Sequence, residues 1–197
     1  MIRISASSSA RRPLLAAALF GLAALTFAAA PAQAQRAGSK PAPAKPAAGG
    51  QGQALLLETA GKWQAFSSQQ GRSKICYALS KAESRTPANL KDVEGLLFIS
   101  SRPGEGVRNE ISLVMNFDLK EDVEHQAIIG SERFALVAKG QNVWLKNPAE
   151  EGRMLDALRK GSGLEIKGTS KRGNATSDKY SLAGISQIVK RAEDACK

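Results

Sequence analysis

Short apolar runs alternate with polar and turn-forming residues from residue 54 to the end of the chain. The runs are rich in β-branched and aromatic side chains, and their lengths are typical of β-strands rather than of helices. Because their connections are short, the runs favour an antiparallel sandwich or barrel over alternating strands and helices, and we predict a mainly β antiparallel β-sandwich. The predicted strands span residues 54–66, 73–79, 95–101, 111–119, 126–129, 133–138, 143–146, 164–170 and 176–182.

Two segments have the periodicity of amphipathic helices. The first begins at Asn147, a good N-cap, and continues with Pro148 at the first helical position and Glu150 at the capping-box position. We expect Gly161 to end this mid-chain helix in the left-handed conformation. The second segment, residues 185–196, places its apolar side chains on one face and is predicted to be a C-terminal helix.

The first 34 residues have the features of an export signal. Basic residues come first, an apolar run follows over residues 13–30, and Ala-Gln-Ala at residues 32–34 forms a small-x-small cleavage site. The apolar run is barely long enough to span a bilayer, so we predict a cleaved signal peptide over residues 1–34 rather than a transmembrane anchor. Its Ala-rich composition is typical of bacteria, and we expect a periplasmic location, with secretion or surface association as the alternative.

Residues 35–53 contain Pro, Ala, Gly and Lys but no large apolar side chain, which predicts a disordered spacer before a single domain over residues 54–197. The formal net charge of the chain is +10. Six of its 28 basic residues and none of its 18 acidic residues precede position 54, so the domain itself carries only about +4. This excess is compatible with an anionic partner, and also with a solvated surface that has no charged partner.

The chain has two cysteines, Cys76 and Cys196. In an oxidising compartment, an even count is most simply explained by one disulfide. This bond would tie the end of the chain to the domain and would contribute about 4 kcal/mol in the loop-entropy model. The alternative is a reactive thiol or a metal-ligand pair. With a single histidine, His125, the chain lacks the usual four zinc ligands, and we predict no metal site.

Candidate catalytic residues are few. His125 is in a polar stretch with no nucleophile elbow elsewhere in the chain, so we expect a surface residue rather than a base. Asp178 and Tyr180 are better explained by a strand edge and a half-buried ring than by acid–base chemistry. We therefore predict no catalytic residue, no cofactor and no enzymatic activity. Four carboxylates before His125 lack the spacing of a calcium loop and are expected to be solvated: Asp118, Glu121, Asp122 and Glu124.

The turn predicted between the last two strands contains the candidate interaction residues Lys171, Arg172 and Asn174. Gly173 and Asn174 are a hairpin signal, and the neighbouring side chains supply positive charge and hydrogen-bond donors. Such a turn could bind an anion if its backbone amides converge. The alternative is an ordinary hairpin turn with solvated charges.

Several short segments of the C-terminal half agree in order and spacing with those of a known family. They lie at residues 134–137, 142–145, 154–161 and 168–184. The strongest is the strand-turn-strand around Arg172 and Gly173, followed by Asp178 and Tyr180. On these residues the chain resembles the invasion-associated locus B proteins over roughly residues 60–197.

This resemblance implies an exported alphaproteobacterial protein of mostly β architecture. The family takes its name from a member linked to entry of a pathogen into host cells, and the resemblance implies no catalytic activity. We therefore expect a non-enzymatic binding or interaction module of the bacterial envelope. Its partner would be an envelope or host-surface protein or an anionic envelope component. Nucleic acid is not expected, because the chain is exported and contains no recognised nucleic-acid-binding module.

The alternative function is that of a periplasmic β-sandwich that binds a small ligand or a lipid. It would require a deep pocket inside the sandwich. An enzyme would require polar side chains that converge in a cleft near His125 or Asp178. A closed core with surface patches alone would instead favour an interaction protein.

Overall fold

The computed structural model describes residues 53–197. The predicted signal peptide (1–34) and all of the predicted spacer (35–53) except Gln53 lie outside the described residues. Within the described range, the chain forms one antiparallel sheet and two α-helices. The elements are β1 (Ala54–Ala60), β2 (Trp63–Gln70), β3 (Ser73–Lys81), β4 (Ser84–Thr86), β5 (Leu96–Arg102), β6 (Val107–Val114), β7 (His125–Ile129), β8 (Glu132–Lys139), β9 (Asn142–Leu145), α1 (Glu151–Lys160), β10 (Gly163–Thr169), β11 (Ala175–Ser181) and α2 (Ile185–Ala195).

The strand order in the sheet is β1-β2-β3-β5-β6-β9-β8-β7-β10-β11-β4. β3 pairs with β2 and β5, whereas β4 pairs with β11. Only Ala82 and Glu83 separate β3 from β4 along the chain. Their backbone N–H groups donate to Gly95 O at 2.8 Å and to Lys179 O at 2.7 Å, so the chain crosses here from one half of the sheet to the other. The predicted antiparallel β-sandwich with a mid-chain and a C-terminal helix is confirmed.

One apolar core is shared by the two halves of the sheet and both helices. Alternate residues of the strands are buried, as in β3 and β8, which is the period expected of strands with one face on a core. Trp63 of β2 is completely buried, and its indole N–H donates to Ser181 O at 2.9 Å. α1 contributes Met154 and Leu158, and α2 contributes Ile188.

The predicted disulfide between Cys76 of β3 and Cys196 is present, with 5.8 Å between the Cα atoms. Cys196 comes directly after α2, and this helix packs on β1, β2, β3 and β5. The end of the chain is therefore an integral part of the fold. Among the described residues, neither helix combines the length and the apolar character needed to cross a bilayer.

The strand predicted over residues 54–66 is wrong, because β1 and β2 form a hairpin with a turn at Gly61 and Lys62. Gly61 has a φ of +59°, which glycine adopts without a steric penalty. Apolar residues lie on both sides of this turn, so hydrophobicity alone did not mark it. The strand predicted over 111–119 begins earlier and ends at Val114, and the short polar strand β4 was not predicted.

Asn147 and Pro148 open the mid-chain helical segment as predicted, but the capping box and the end of the helix differ from the prediction. The Glu150 carboxylate accepts a hydrogen bond from Arg153 rather than from the backbone of Asn147. Asn147 Oδ1 accepts a hydrogen bond from Ala149 N at 3.1 Å, and a 3-10 turn leads into α1. Gly161 is extended, with φ −79° and ψ 164°, so the predicted left-handed stop is wrong. A Cβ atom at this position would lie 2.7 Å from Ile129 Cγ2, so close packing, rather than backbone conformation, is what favours glycine here.

Candidate binding site at the β10–β11 turn

Lys171, Arg172 and Asn174 lie in the turn that joins β10 to β11, where a hairpin was predicted. Gly173 N donates to Ser170 O at 2.8 Å, and Ser170 N donates to Asn174 O at 2.8 Å. Gly173 has a φ of +88°, which explains a glycine at this position. The predicted hairpin is therefore present, and all three candidate side chains are on the surface.

The three residues line a solvent-open pocket with a volume of about 420 Å³. This volume is within the range of about 300–1,000 Å³ that is usual for small-molecule sites. Three further parts of the chain complete the walls: the turn after β4, the connection after β6 and the β8–β9 turn. The candidate interaction residues therefore form one wall of the pocket, and the other three walls come from connections that the sequence analysis did not assign to an interaction site.

Three amide side chains line the pocket: Asn89, Gln141 and Asn174. All three residues are exposed, and within residues 53–197 their side chains make no hydrogen bond to another residue. Each amide offers both a donor and an acceptor to a bound molecule. Apolar surface lies beside them, on Phe117 and the buried Leu90.

The charged groups of the pocket are Lys171, Arg172 and Asp118. Lys171 Nζ is 3.7 Å from Asp118 Oδ2, and because its side chain is 74% exposed this ion pair is weak. Arg172 is exposed, and within the described part of the chain it forms no ion pair. The pocket therefore has a net positive charge, with the Arg172 guanidinium available to an anion.

A buried ion pair lies behind the pocket. Arg85 of β4 donates from Nε to Asp178 Oδ1 at 2.9 Å and from a terminal nitrogen to Oδ2 at 2.6 Å. The two side chains are only 3% and 0% exposed. Arg85 also donates to Val93 O at 2.6 Å and Met115 O at 3.1 Å, and its guanidinium is 5.3 Å from the centre of the Phe117 ring. The pair therefore links β4 and β11 to the aromatic wall of the pocket.

Burial raises the pKa of Asp178, and the hydrogen bonds from Arg85 oppose that rise. Burial also raises the pKa of Tyr180, and the adjacent charge of Asp178 adds to this effect. The predicted strand edge and half-buried ring are wrong, because β11 is paired with β4 on its outer side and both side chains are buried. Gly95 packs directly on this group, since a Cβ there would lie 2.8 Å from Asp178 Oδ2.

His125 is 1% exposed, so its predicted place on the surface is wrong. It is the first residue of β7 and faces inward, where its ring bonds to backbone groups on both sides. Nδ1 accepts from Thr169 N at 3.3 Å, and Nε2 lies 3.0 Å from Lys120 O. Both ring nitrogens are therefore engaged by backbone groups, and neither is free to act as a base toward a molecule in the pocket.

The four carboxylates that precede His125 are paired separately with basic or backbone groups, and the pairing of Asp118 with Lys171 is described above. Glu121 accepts from Gly140 N at 2.7 Å, Asp122 is 3.7 Å from Lys120, and Glu124 is 2.9 Å from Lys146. Within residues 53–197, no three His, Cys, Asp or Glu side chains are grouped closely enough to hold a metal ion.

Comparisons with other proteins add no family assignment. No protein-family model matches this chain. No curated protein and no solved structure matches it significantly. Inferences about its function therefore depend on its own residues and on the resemblance described above.

Proposed function

We propose that this chain is an exported protein of the bacterial envelope that acts by binding rather than by catalysis. The observation that carries the proposal is the pocket at the β10–β11 turn, where amide groups and a guanidinium that have no partner among residues 53–197 face solvent. The side chains best suited to acid–base chemistry are engaged elsewhere: Asp178 by Arg85, and His125 by the backbone. Polar groups are therefore available for recognition and not for proton transfer.

The partner that we propose is anionic. Lys171 and Arg172 outnumber Asp118 around the pocket, and the domain as a whole carries a small positive excess. Oppositely charged partners are attracted to such a surface and associate faster. An acidic protein surface, a lipid headgroup and an acidic glycan of the envelope all have this property.

Export is supported by two independent features of the chain. The signal-like N-terminus contains a basic start, an apolar run and a small-x-small site. The Cys76–Cys196 bond fits an oxidising compartment such as the periplasm. The resemblance to the invasion-associated locus B proteins agrees with this location, and membership of that family is part of the proposal.

The alternative is a periplasmic β-sandwich protein that binds a small ligand or a lipid. The volume of the pocket favours it, because about 420 Å³ would hold a small molecule. The filled core argues against a lipid between the two halves of the sheet, since the inward side chains of both halves are in one buried cluster.

A pull-down from envelope extracts tests the proposal. The oxidised mature chain would be compared with Arg172→Glu, and with Arg72→Glu as a control that makes the same charge change at the β2–β3 turn. We expect a partner, identified by mass spectrometry of bound proteins, lipids and glycans, that Arg172→Glu loses and Arg72→Glu retains. Capture of the same molecules by all three proteins would contradict the placement of the contact at the β10–β11 turn.

A further inference from the structure

We propose that the pocket at the β10–β11 turn binds an acidic sugar, that is, a sugar ring that carries a carboxylate or phosphate group. This inference rests on the proposed function, because it names the ligand class of the same site. It depends on three properties of the pocket that occur together: an aromatic wall, several amide groups that have no partner in the described part of the chain, and a net positive charge.

The aromatic wall is Phe117, with Leu90 and Pro87 beside it. The C–H groups on one face of a sugar ring form an apolar surface that packs well on an aromatic ring. Phe117 packs against the apolar core, and the guanidinium of the buried Arg85 lies 5.3 Å from its ring centre. This arrangement provides a fixed platform, which reduces the entropic cost of binding.

The amides of Asn89, Gln141 and Asn174 match the hydroxyl groups of a sugar. A hydroxyl both donates and accepts hydrogen bonds, and so does each carboxamide. Asp118 adds an acceptor next to them. A fatty acyl chain or a bare inorganic anion would leave most of these groups unused. The polar part of the pocket therefore favours a ligand with several hydroxyl groups.

Arg172 selects for an acidic form of the sugar. Asp118 is already close to Lys171, at 3.7 Å, whereas Arg172 forms no ion pair with the other residues that the structure describes. Its guanidinium is therefore available to an acidic group. A guanidinium forms paired hydrogen bonds with a carboxylate or a phosphate, and these bonds are stronger than those to neutral groups. A neutral sugar would gain only the contacts with Phe117 and the amides.

Calorimetric titration with four probes separates the contribution of the sugar ring to binding from that of the negative charge. Glucuronate carries both a sugar ring and a charge, glucose only the ring, and acetate only the charge. Glucose 6-phosphate tests whether phosphate can replace the carboxylate. We expect the mature, oxidised chain to bind glucuronate at least about tenfold more tightly than glucose or acetate, because only glucuronate uses both sets of contacts.

Substitutions of pocket residues test which side chains contact the bound glucuronate. Gln141→Ala and Phe117→Leu are expected to weaken glucuronate binding about tenfold, whereas Gln126→Ala, an exposed glutamine on β7 outside the pocket, leaves it unchanged. Arg172→Glu should reduce the affinity for glucuronate to that for glucose. Unfolding midpoints measured in parallel identify any variant that loses binding through loss of structure.

Three results would overturn the inference: acetate binding as tightly as glucuronate, glucose binding as tightly as glucuronate, or no binding of any probe. None of them would decide the proposed function, which depends on the separate loss of an envelope partner in Arg172→Glu. Conversely, glucuronate binding with an unchanged pull-down would support the sugar site and contradict the wider interaction role.

Discussion

The region around α2 and the region around β4 and β11 are stabilised in different ways. α2 covers β2 and β3 with apolar side chains, and the Cys76–Cys196 bond fixes its end. At β4 and β11 the interior contains a charged pair, Arg85 and Asp178, which is surrounded by protein. Apolar packing tolerates exchange between side chains of similar volume. A buried ion pair, in contrast, requires both charges in good hydrogen-bonding geometry, because one charge alone is strongly destabilising. The pocket lies beside the second region, because the guanidinium of Arg85 is close to Phe117 in the pocket wall.

Removal of the disulfide is expected to have the largest effect on stability. The bond joins residues 120 positions apart, so in its absence the unfolded chain gains much conformational freedom. We expect the double variant Cys76→Ala and Cys196→Ala to lose about 4 kcal/mol of unfolding free energy, measured by urea denaturation. Reduced wild type should behave like this variant. Equal denaturation midpoints for the oxidised wild type and the variant would show that the region around α2 does not depend on the bond.

Breaking the buried ion pair is expected to lower the unfolding free energy nearly as much as removal of the disulfide does. Asp178→Leu leaves the Arg85 charge buried, although Val93 O and Met115 O still accept hydrogen bonds from it. We expect a loss of about 3 kcal/mol in the same urea assay.

The double variant Arg85→Met and Asp178→Leu removes both charges and is the matched control. We expect it to recover most of the loss, because no unpaired charge remains in the interior. If both proteins are equally destabilised, the packing of these side chains, rather than their charge, stabilises this region.

Two glycines of the α1 region provide a smaller test, in which the same substitution should have opposite effects. A Cβ at Gly161 would lie 2.7 Å from Ile129 Cγ2, whereas one at Gly152, inside α1, would meet no described residue within 4 Å. Urea denaturation of Gly161→Ala should show a loss of about 2 kcal/mol from overpacking. Gly152→Ala should gain about 0.5 kcal/mol from helix propensity. A stable Gly161→Ala protein would mean that the contact with Ile129 relaxes easily.

The difference between the two regions also explains which features the sequence could predict. The amphipathic C-terminal helix and the paired cysteines are signalled by periodicity and by an even count, and both are present. The Arg85–Asp178 pair joins residues 93 positions apart, and no local pattern connects them. Asp178 and Tyr180 are two residues apart on β11 and therefore share a face, but no feature of the sequence indicates that this face is fully buried.

The same reasoning applies to the pocket. Its hairpin residues were predicted because turn chemistry is local, and Gly173 with Asn174 marks the turn. Asn89, Phe117 and Gln141 come from three other connections, and only the folded sheet brings these together. A single sequence contains no signal that joins them.

The smallest expected effect is a pH dependence at Glu151, where α1 packs on β6. Burial and the nearby charge of Glu110 raise the pKa of Glu151, and a hydrogen bond from the backbone of Ile111 opposes this rise. The folded state therefore holds this proton more tightly than the unfolded state. The resulting contribution to stability is complete below the pKa of the unfolded chain and is lost as pH rises through the pKa of the folded protein.

Glu151→Gln removes this titration, and urea denaturation between about pH 4 and pH 6 measures it. We expect the stability of wild type relative to Glu151→Gln to fall as pH rises over this interval. Asp156→Asn, which removes an exposed carboxylate from the same helix, controls for the general loss of a negative charge. A difference between wild type and Glu151→Gln that stays constant with pH would mean that Glu151 is as well solvated in the fold as in the unfolded chain.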